Sequence, residues 1–121
     1  MIPILAIDDH PANLKLLEVV LSRHGYEVRL AADAAEALRS ITASRPRAIL
    51  MDIALPGMDG LELTRKLKSD PQTRDIVIIA VTAHAMRGDR EKAFAAGCDD
   101  YMSKPIDAKA LRAMIARHLG G

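Results

Sequence analysis

One aspartate, Asp52, stands at the end of a short apolar run and is followed at once by a turn rich in proline and glycine. The run covers Ala48 to Met51, and Pro56, Gly57 and Gly60 lie in the turn. A short apolar run bounded by turn residues is typical of a buried strand. An acid at the carboxyl end of such a strand lies where open α/β sheets bind their ligands. Asp52 is therefore the first candidate for chemistry.

Further reactive side chains follow other apolar runs: Asp8 and Asp9 near the N-terminus, Thr82, and Lys104. If these groups meet Asp52, three like charges repel one another, and a divalent cation relieves that repulsion. An all-oxygen ligand set suits Mg²⁺ that keeps several waters. Asp52 could then attack phosphorus as a carboxylate nucleophile. The cation, the Lys104 ammonium and the Thr82 hydroxyl would neutralise charge in the transition state.

The elements that must position these groups alternate between strands and helices. Apolar runs predict strands at residues 2–7, 26–31, 48–52, 76–81 and 98–102. Helices are predicted between them, with Pro11 in the first turn of the first helix and Asp33, Asp59 and Asp107 as N-caps of later ones. The fourth helix is predicted over residues 86–96, with Gly88 inside it and a weak buried stripe that includes Phe94.

This alternation predicts an α/β fold, (βα)5 and doubly wound, with a parallel sheet covered by helices on both faces. In the flavodoxin-like strand order 2-1-3-4-5, strands two and five form the edges. The charged strand residues Glu27, Arg29, Asp99 and Asp100 all fall on those two strands. The order brings the residues that follow strands one, three and four together. Strand five lies about 9–10 Å from strand three, a gap that the long Lys104 side chain covers in large part.

Length and composition limit the function classes. At 121 residues we expect one domain, residues 1–121. The formal charge of +1 gives no electrostatic case for nucleic acid or for an anionic membrane. The lone Cys98 cannot form an internal disulfide, which favours a reducing compartment. The N-terminus is too short and too acidic for a signal peptide, and no run approaches the roughly 18 apolar residues of a membrane span. We therefore expect a cytoplasmic protein.

Six short segments carry a family resemblance, in order and over essentially the whole chain. They are Ile7-Asp8-Asp9, Met51-Asp52, Leu55-Pro56-Gly57-Met58-Asp59-Gly60, Val81-Thr82-Ala83, Gly97-Cys98-Asp99-Asp100-Tyr101 and Lys104-Pro105. Together they resemble the receiver domain of bacterial two-component signalling. Residues 82–89 most resemble stand-alone receivers of cell-cycle type and the receivers of hybrid kinases.

The resemblance implies a phosphorelay switch rather than an enzyme, although receivers promote their own aspartyl phosphorylation and dephosphorylation. It implies that Asp52 takes a phosphoryl group from the phospho-His of a histidine kinase or histidine phosphotransfer protein, and that a downstream protein is the target. It also implies Mg²⁺ held by Asp9, Asp52 and the backbone carbonyl of Ala54, with Asp8 acting through water.

The resemblance assigns the switch itself to a second set of residues. Thr82 and Tyr101 would be the switch pair, and the bond between Lys104 and Pro105 would be cis. Phosphorylation would then change the face made by the fourth helix, the fifth strand and the fifth helix.

Other functions fit less well or stay open. A flavodoxin-type carrier would need a Thr/Ser/Gly-rich phosphate loop after strand one, and only three aromatic residues exist to stack a flavin. A hydrolase using Asp52 would need a second carboxylate at the position of Ala54. A pseudo-receiver that binds partners without phosphorylation stays an alternative, although the complete set of acidic residues argues against it. No effector domain follows Gly121, so we expect either a stand-alone protein or a receiver excised from a hybrid histidine kinase.

Overall fold

Five strands alternate with five helices in the computed structural model, which describes residues 2–55, 57–82 and 88–119. Pro56 and the predicted helix start at Met86 lie outside the described residues. The strands are β1 Ile2–Ile7, β2 Tyr26–Ala31, β3 Ala48–Asp52, β4 Val77–Thr82 and β5 Asp100–Ser103. The helices are α1 Pro11–Ser22, α2 Ala34–Ala43, α3 Gly60–Ser69, α4 Asp89–Ala96 and α5 Ala108–Leu119.

The sheet is parallel and has the order β2-β1-β3-β4-β5, which confirms the predicted fold. In the register, Ile7 pairs with Met51, Asp52 with Val81, and Thr82 with Ser103. Because all strands run the same way, their carboxyl ends form one edge of the sheet. The carboxyl ends of β1, β3, β4 and β5 therefore border a common crevice.

Helices cover both faces of the sheet. On one face, buried leucines of α1 and the buried Leu111 and Ile115 of α5 pack on β1, β3 and β4. On the other face, buried residues of α2, α3 and α4 pack on the opposite sides of the same strands. All five residues of β3 are buried, as expected for a central strand between two helical layers. No helix in the described part of the chain is long and apolar enough to cross a membrane.

One charged residue on each edge strand contacts the helix beside it. Arg29 of β2 donates hydrogen bonds to the carbonyls of Ser40, at 3.0 Å, and of Ser44. Asp100 of β5 binds Arg117 and lies 2.9 Å from Nε2 of His118, both on α5. These pairs tie each edge strand to its flanking helix and explain how the edges tolerate charge.

The predicted helix caps are confirmed. Asp33 and Asp59 accept hydrogen bonds from backbone N–H groups three residues later, at 2.8 Å and 2.9 Å. Asp107 accepts from the N–H groups of Lys109 and Ala110 at 3.0 Å and 3.2 Å. Each cap satisfies donors that the first helical turn leaves unpaired.

The start of β5 was predicted two residues too early. The carboxylate of Asp99 accepts a hydrogen bond from the Ile78 N–H at 2.8 Å, while the Asp99 N–H donates to the Ile78 carbonyl at 2.7 Å. The Asp99 side chain thus accepts the hydrogen bond that a backbone carbonyl would accept in a regular strand pair, and regular pairing between β4 and β5 begins at Asp100. β4 is also displaced by one residue from its prediction, so Thr82 is its last residue.

The prediction for α4 was wrong in two respects. The helix starts at Asp89, so Gly88 lies at its N-cap with a φ of 92° and not inside it. Phe94 is 40 % exposed, and the guanidinium of Arg90 lies 5.4 Å from its ring centre. The buried side of α4 consists of Ala93 and Ala96. The apolar character of Phe94 misled the prediction, because only small residues of this helix meet the sheet.

Candidate functional site

The carboxyl edge of the sheet carries the crevice formed by Asp8, Asp9, Asp52, Thr82 and Lys104. Asp52 is the last residue of β3 and is 5 % exposed, and Asp8 follows β1 with 2 % exposure. Thr82 ends β4 and is also buried, whereas Asp9 is exposed. The apolar strands that place the acids thus bury two of them, Asp8 and Asp52, at the end of the sheet.

Lys104 reaches this crevice from the segment after β5. Its Nζ lies 2.8 Å from Oδ2 of Asp8 and 3.3 Å from Oδ2 of Asp52, so its side chain reaches past β4 to the ends of β3 and β1. The Lys104 backbone N–H donates to the Thr82 carbonyl at 2.7 Å, which fixes the start of the side chain. The peptide bond between Lys104 and Pro105 is cis.

The pKa values of the two buried acids, Asp8 and Asp52, are shifted in opposite directions. Burial raises the pKa of Asp52 above its usual value, and hydrogen bonds from Ala54 and Lys104 only partly offset this effect. Burial acts in the same direction on Asp8, but hydrogen bonds from Lys104 and His10 outweigh it and lower the Asp8 pKa. For Lys104, burial is outweighed by its two acidic neighbours, which raise its pKa. Lys104 therefore neutralises Asp8 more fully than Asp52.

Four of the residues that the structure describes offer ligand atoms that could hold a cation: Asp8, Asp9, His10 and Asp52. One such atom from each lies within 4.8 Å of the others. The carboxylates supply the hard oxygen ligands that Mg²⁺ prefers. Ala54 donates its N–H to Oδ1 of Asp52 at 3.1 Å, and no hydrogen bond within the described ranges ends on the Ala54 carbonyl. The donor set at this crevice thus fits a magnesium ion.

Two contributors to the site were missed at the sequence level. Nδ1 of His10 lies 3.0 Å from Oδ1 of Asp9 and 3.2 Å from Oδ1 of Asp8, and the His10 N–H donates to the same Asp8 oxygen at 2.9 Å. Asn13 donates to Oδ2 of Asp8 at 3.2 Å. Their position in the sequence could have indicated a role at the site, because both lie at the start of α1, shortly after Asp8 and Asp9.

Gly60 is a third residue that shapes the site. A Cβ at this position would lie 2.5 Å from the carbonyl oxygen of Asp52 and 2.9 Å from Cα of Ile53. The Gly60 N–H donates to the Ile53 carbonyl at 2.9 Å. The start of α3 therefore packs directly on the end of β3 because residue 60 has no side chain.

The proposed switch pair lies on neighbouring strands. Thr82 pairs with Ser103 in the register, and Tyr101 pairs with Ala80. Tyr101 is half-buried and packs against the apolar cluster under α2, α3 and α4. Burial raises the pKa of its hydroxyl, and the charges of Asp89 and Glu91 on α4 add to the effect. Tyr101 of β5 is thus near enough to the start of α4 for the charges there to act on its hydroxyl.

Fold and site together define a flavodoxin-like α/β domain with an acidic, lysine-bridged crevice at the carboxyl edge of its sheet. The chain belongs to the response regulator receiver domain family, whose sequence model matches residues 4–116. Receiver domains are the signalling switches of two-component systems, and they bind Mg²⁺ at an acidic pocket.

Known relatives agree with this assignment. The chain is 44 % identical over 112 residues to the response regulator PleD of Caulobacter vibrioides, covering 93 % of this chain and 25 % of PleD. It is 41 % identical over 117 residues to the polar-differentiation response regulator DivK of Brucella anthropi, covering 97 % and 95 % of the two chains. The chain therefore spans about a quarter of PleD but nearly all of DivK.

A solved structure shows the same fold with a metal ion. The receiver domain of the sensor histidine kinase PA1611 from Pseudomonas aeruginosa matches with a TM-score of 0.89 and 40 % identity, over 98 % of both chains. That structure has a magnesium ion coordinated in its active-site cleft.

Proposed function

We propose that residues 1–121 form a single receiver domain in which Asp52 accepts a phosphoryl group from the phospho-His of a histidine kinase or histidine phosphotransfer protein. The main support is the position of Asp52: a nearly buried carboxylate ends the central strand, with the Lys104 ammonium 3.3 Å away and further carboxylates beside it. This arrangement of charges suits phosphoryl transfer, a reaction that depends on positioning and on charge neutralisation.

In this reaction an oxygen of Asp52 attacks phosphorus, and a new P–O bond forms as the P–N bond to the donor imidazole breaks. The bonding electron pair leaves with the imidazole nitrogen, which then takes a proton from solvent. Lys104 neutralises negative charge on the phosphoryl oxygens, and the Thr82 hydroxyl donates to another of them. Ala54 keeps one carboxylate oxygen of Asp52 oriented through its N–H, at 3.1 Å.

Residues of the crevice would also hold a magnesium ion. Asp9, Asp52 and the Ala54 carbonyl would bind it directly, and Asp8 would act through water. When bound, the ion supplies positive charge that offsets the repulsion between the carboxylates and the incoming phosphoryl group.

The output would be a shift between two states of the face formed by α4, β5 and α5. Thr82 would move toward the phosphoryl group, and the Tyr101 ring would turn into the space vacated, with Pro105 fixing the segment that carries Lys104. Helix α4 suits such a role because only its Ala93 and Ala96 are buried and its N-cap residue, Gly88, has no side chain to cap it. Amide exchange with and without a phosphoryl mimic tests this, since equal protection of α4 in both states would contradict it.

The downstream target would be a protein that binds this face. The near-complete coverage of DivK supports a stand-alone receiver, and the match to the receiver of the sensor histidine kinase PA1611 supports a place within a hybrid kinase. Phosphoryl transfer to Asp52 is the same in both settings.

The direct test is incubation with acetyl phosphate and Mg²⁺, read by intact-protein mass. We expect the wild type and the control Asp59→Asn to gain one phosphoryl group, because Asp59 caps α3 and is not part of the group of ligand atoms at the crevice. Asp52→Asn should gain none. A gain in Asp52→Asn, or no gain in the wild type, would overturn the site and would favour a pseudo-receiver that binds partners without phosphorylation.

A further inference from the structure

Among the residues that the structure describes, His10 supplies the one nitrogen atom in the group of side chains that could bind a cation at the crevice, and the others are Asp8, Asp9 and Asp52. We infer that its imidazole is a ligand of the divalent cation, so that this site holds transition metals such as Ni²⁺ and Mn²⁺ through nitrogen as well as oxygen. The inference rests on the proposed function, because it uses the same carboxylates.

The distances within the cluster suit metal coordination. In an octahedral site with bonds of about 2.1 Å, adjacent ligand atoms are about 3.0 Å apart and opposite ones about 4.2 Å. Nδ1 of His10 lies 3.0 Å from the Asp9 oxygen and 3.2 Å from the Asp8 oxygen. The whole set lies within 4.8 Å. The imidazole nitrogen therefore already lies at the spacing of an adjacent ligand.

The backbone holds His10 in this position. His10 is the N-cap residue of α1, with extended φ and ψ, and Pro11 follows it. Its side chain makes no cap hydrogen bond to the helix, and its N–H is bound to Oδ1 of Asp8. The ring is 68 % exposed and, within the described ranges, its polar contacts are the carboxylates of Asp8 and Asp9. The ring thus points to the acids and not to the core.

The two carboxylate oxygens of Asp8 have different hydrogen-bond partners. Lys104 and Asn13 both donate to Oδ2, at 2.8 Å and 3.2 Å. Oδ1 faces His10. One side of the carboxylate therefore positions the lysine, while the other side contributes to the group of ligand atoms that includes the imidazole.

The chemical consequence is a change in metal preference. Carboxylate, carbonyl and water ligands suit Mg²⁺, whereas imidazole suits Zn²⁺, Cu²⁺ and Ni²⁺. Independent support for a cation at this place comes from the related PA1611 receiver, which has magnesium in its cleft. A nitrogen ligand at that site should raise its affinity for Ni²⁺ relative to Mg²⁺. The loss of His10 should therefore weaken Ni²⁺ binding and leave Mg²⁺ binding nearly unchanged.

Calorimetric titrations with Mg²⁺ and with Ni²⁺ test the inference on the wild type, His10→Ala and the control His24→Ala, which removes an exposed histidine from the α1–β2 turn. We expect His10→Ala to lower Ni²⁺ affinity by about tenfold or more, since even the loss of an outer-shell partner commonly costs that much. Its Mg²⁺ affinity should change by less than about twofold, because imidazole adds little to an oxygen site for Mg²⁺. His24→Ala should match the wild type with both ions.

Pulsed electron paramagnetic resonance of bound Mn²⁺ gives a second readout that does not depend on affinity. A ¹⁴N coupling should be present in the wild type and in His24→Ala, and absent in His10→Ala. Equal Ni²⁺ affinity in wild type and His10→Ala, or no nitrogen coupling in the wild type, would overturn the inference even where Mg²⁺ binds normally. If the wild type binds neither Mg²⁺ nor Mn²⁺, the proposed function fails as well.

Discussion

The ammonium of Lys104 lies closer to Asp8, at 2.8 Å, than to the proposed phosphoryl acceptor Asp52, at 3.3 Å. The pKa directions agree with this geometry, because that of Asp8 is lowered while that of Asp52 is raised. Before phosphorylation, Asp8 therefore acts as the main partner that holds the lysine. A phosphoryl group on Asp52 would offer new oxygens to a lysine that needs to move only a short distance.

Replacing this lysine should separate metal binding from phosphorylation. Lys104→Met should bind Mg²⁺ about fivefold more tightly, because removing a cation next to the site removes about 1 kcal/mol of repulsion. Its phosphorylation by acetyl phosphate should nevertheless be slower, because the charge on the phosphoryl oxygens is less well neutralised. Fluorescence titration and time-resolved intact mass measure the two effects.

The matched control for that variant is Lys109→Met, which removes an exposed lysine from the first turn of α5. It should behave as the wild type in both assays. Weaker Mg²⁺ binding by Lys104→Met would contradict the picture of a lysine that competes with the ion.

The ionised carboxylate of Asp52 should lower the free energy of unfolding of the metal-free protein. Its burial and the nearby Asp8 charge both disfavour the ionised carboxylate, although Ala54 and Lys104 stabilise it in part. We expect Asp52→Asn to raise the free energy of unfolding at neutral pH by about 0.5–2 kcal/mol without Mg²⁺, as changes that relieve functional strain commonly do. Saturating Mg²⁺ should stabilise the wild type more than the variant and so shrink the difference. Urea unfolding with and without Mg²⁺ measures this, and a less stable Asp52→Asn protein in both conditions would contradict it.

Much of this molecule could be predicted from periodicity and turn signals. The strand order follows from the alternation of strands and helices together with the charges on β2 and β5, and both the order and the edge positions are confirmed. The caps at Asp33 and Asp59 were predictable because a cap is a local interaction within four residues. Asp8 and Asp52 could be expected to lie at the same edge of the sheet because they come at the carboxyl ends of parallel strands.

What could not be predicted depends on contacts between distant residues. The start of β5 is set by the Asp99 carboxylate bound to Ile78, and nothing near Asp99 in the sequence shows this. The unequal sharing of Lys104 and the role of Gly60 both depend on distances between elements that pack only in the folded chain. His10 was overlooked because its contacts with Asp8 and Asp9 depend on how the chain turns into α1.

The contacts that link Asp100 of β5 to Arg117 and His118 of α5 should make the stability of the protein depend on pH in the acid range. Burial would raise the Asp100 pKa, but hydrogen bonds from His118, Tyr101 and Arg117 outweigh it and hold the pKa below the ordinary value of 3.8. For a lowered pKa, the stabilisation is fully present above 3.8 and is lost as the pH falls through the folded-state value.

We therefore expect Asp100→Asn to lose about 1–2 kcal/mol of unfolding free energy at neutral pH, because a hydrogen bond to a charged group contributes about 1.5–3 kcal/mol and solvent screens part of this at a partly exposed site. The deficit should shrink as the pH falls below 3.8. Urea unfolding across this range measures it, with Asp75→Asn, an exposed acid in the α3–β4 turn, as the control. A deficit that stays constant down to the lowest pH would show that the charge of Asp100 is not its cause.

Gly60 offers a test of how closely α3 must approach the acceptor strand. Its φ is not positive, so an alanine here would ordinarily stabilise the protein by about 0.4–1 kcal/mol through the unfolded state. The added Cβ would instead lie 2.5 Å from the Asp52 carbonyl oxygen, and both atoms belong to rigid parts of the fold. We expect Gly60→Ala to cost about 1–3 kcal/mol, as overpacking does, and to weaken Mg²⁺ binding by displacing Asp52.

The control for this contact is Gly57→Ala in the same turn. A Cβ at Gly57 would meet nothing within 4 Å, although its φ of +75° makes alanine strained. Gly57→Ala should therefore lose stability through its backbone while keeping Mg²⁺ affinity. Calorimetric Mg²⁺ titration and urea unfolding of both variants distinguish the two causes. Unchanged Mg²⁺ affinity in Gly60→Ala would mean that the end of β3 can shift without moving the Asp52 carboxylate.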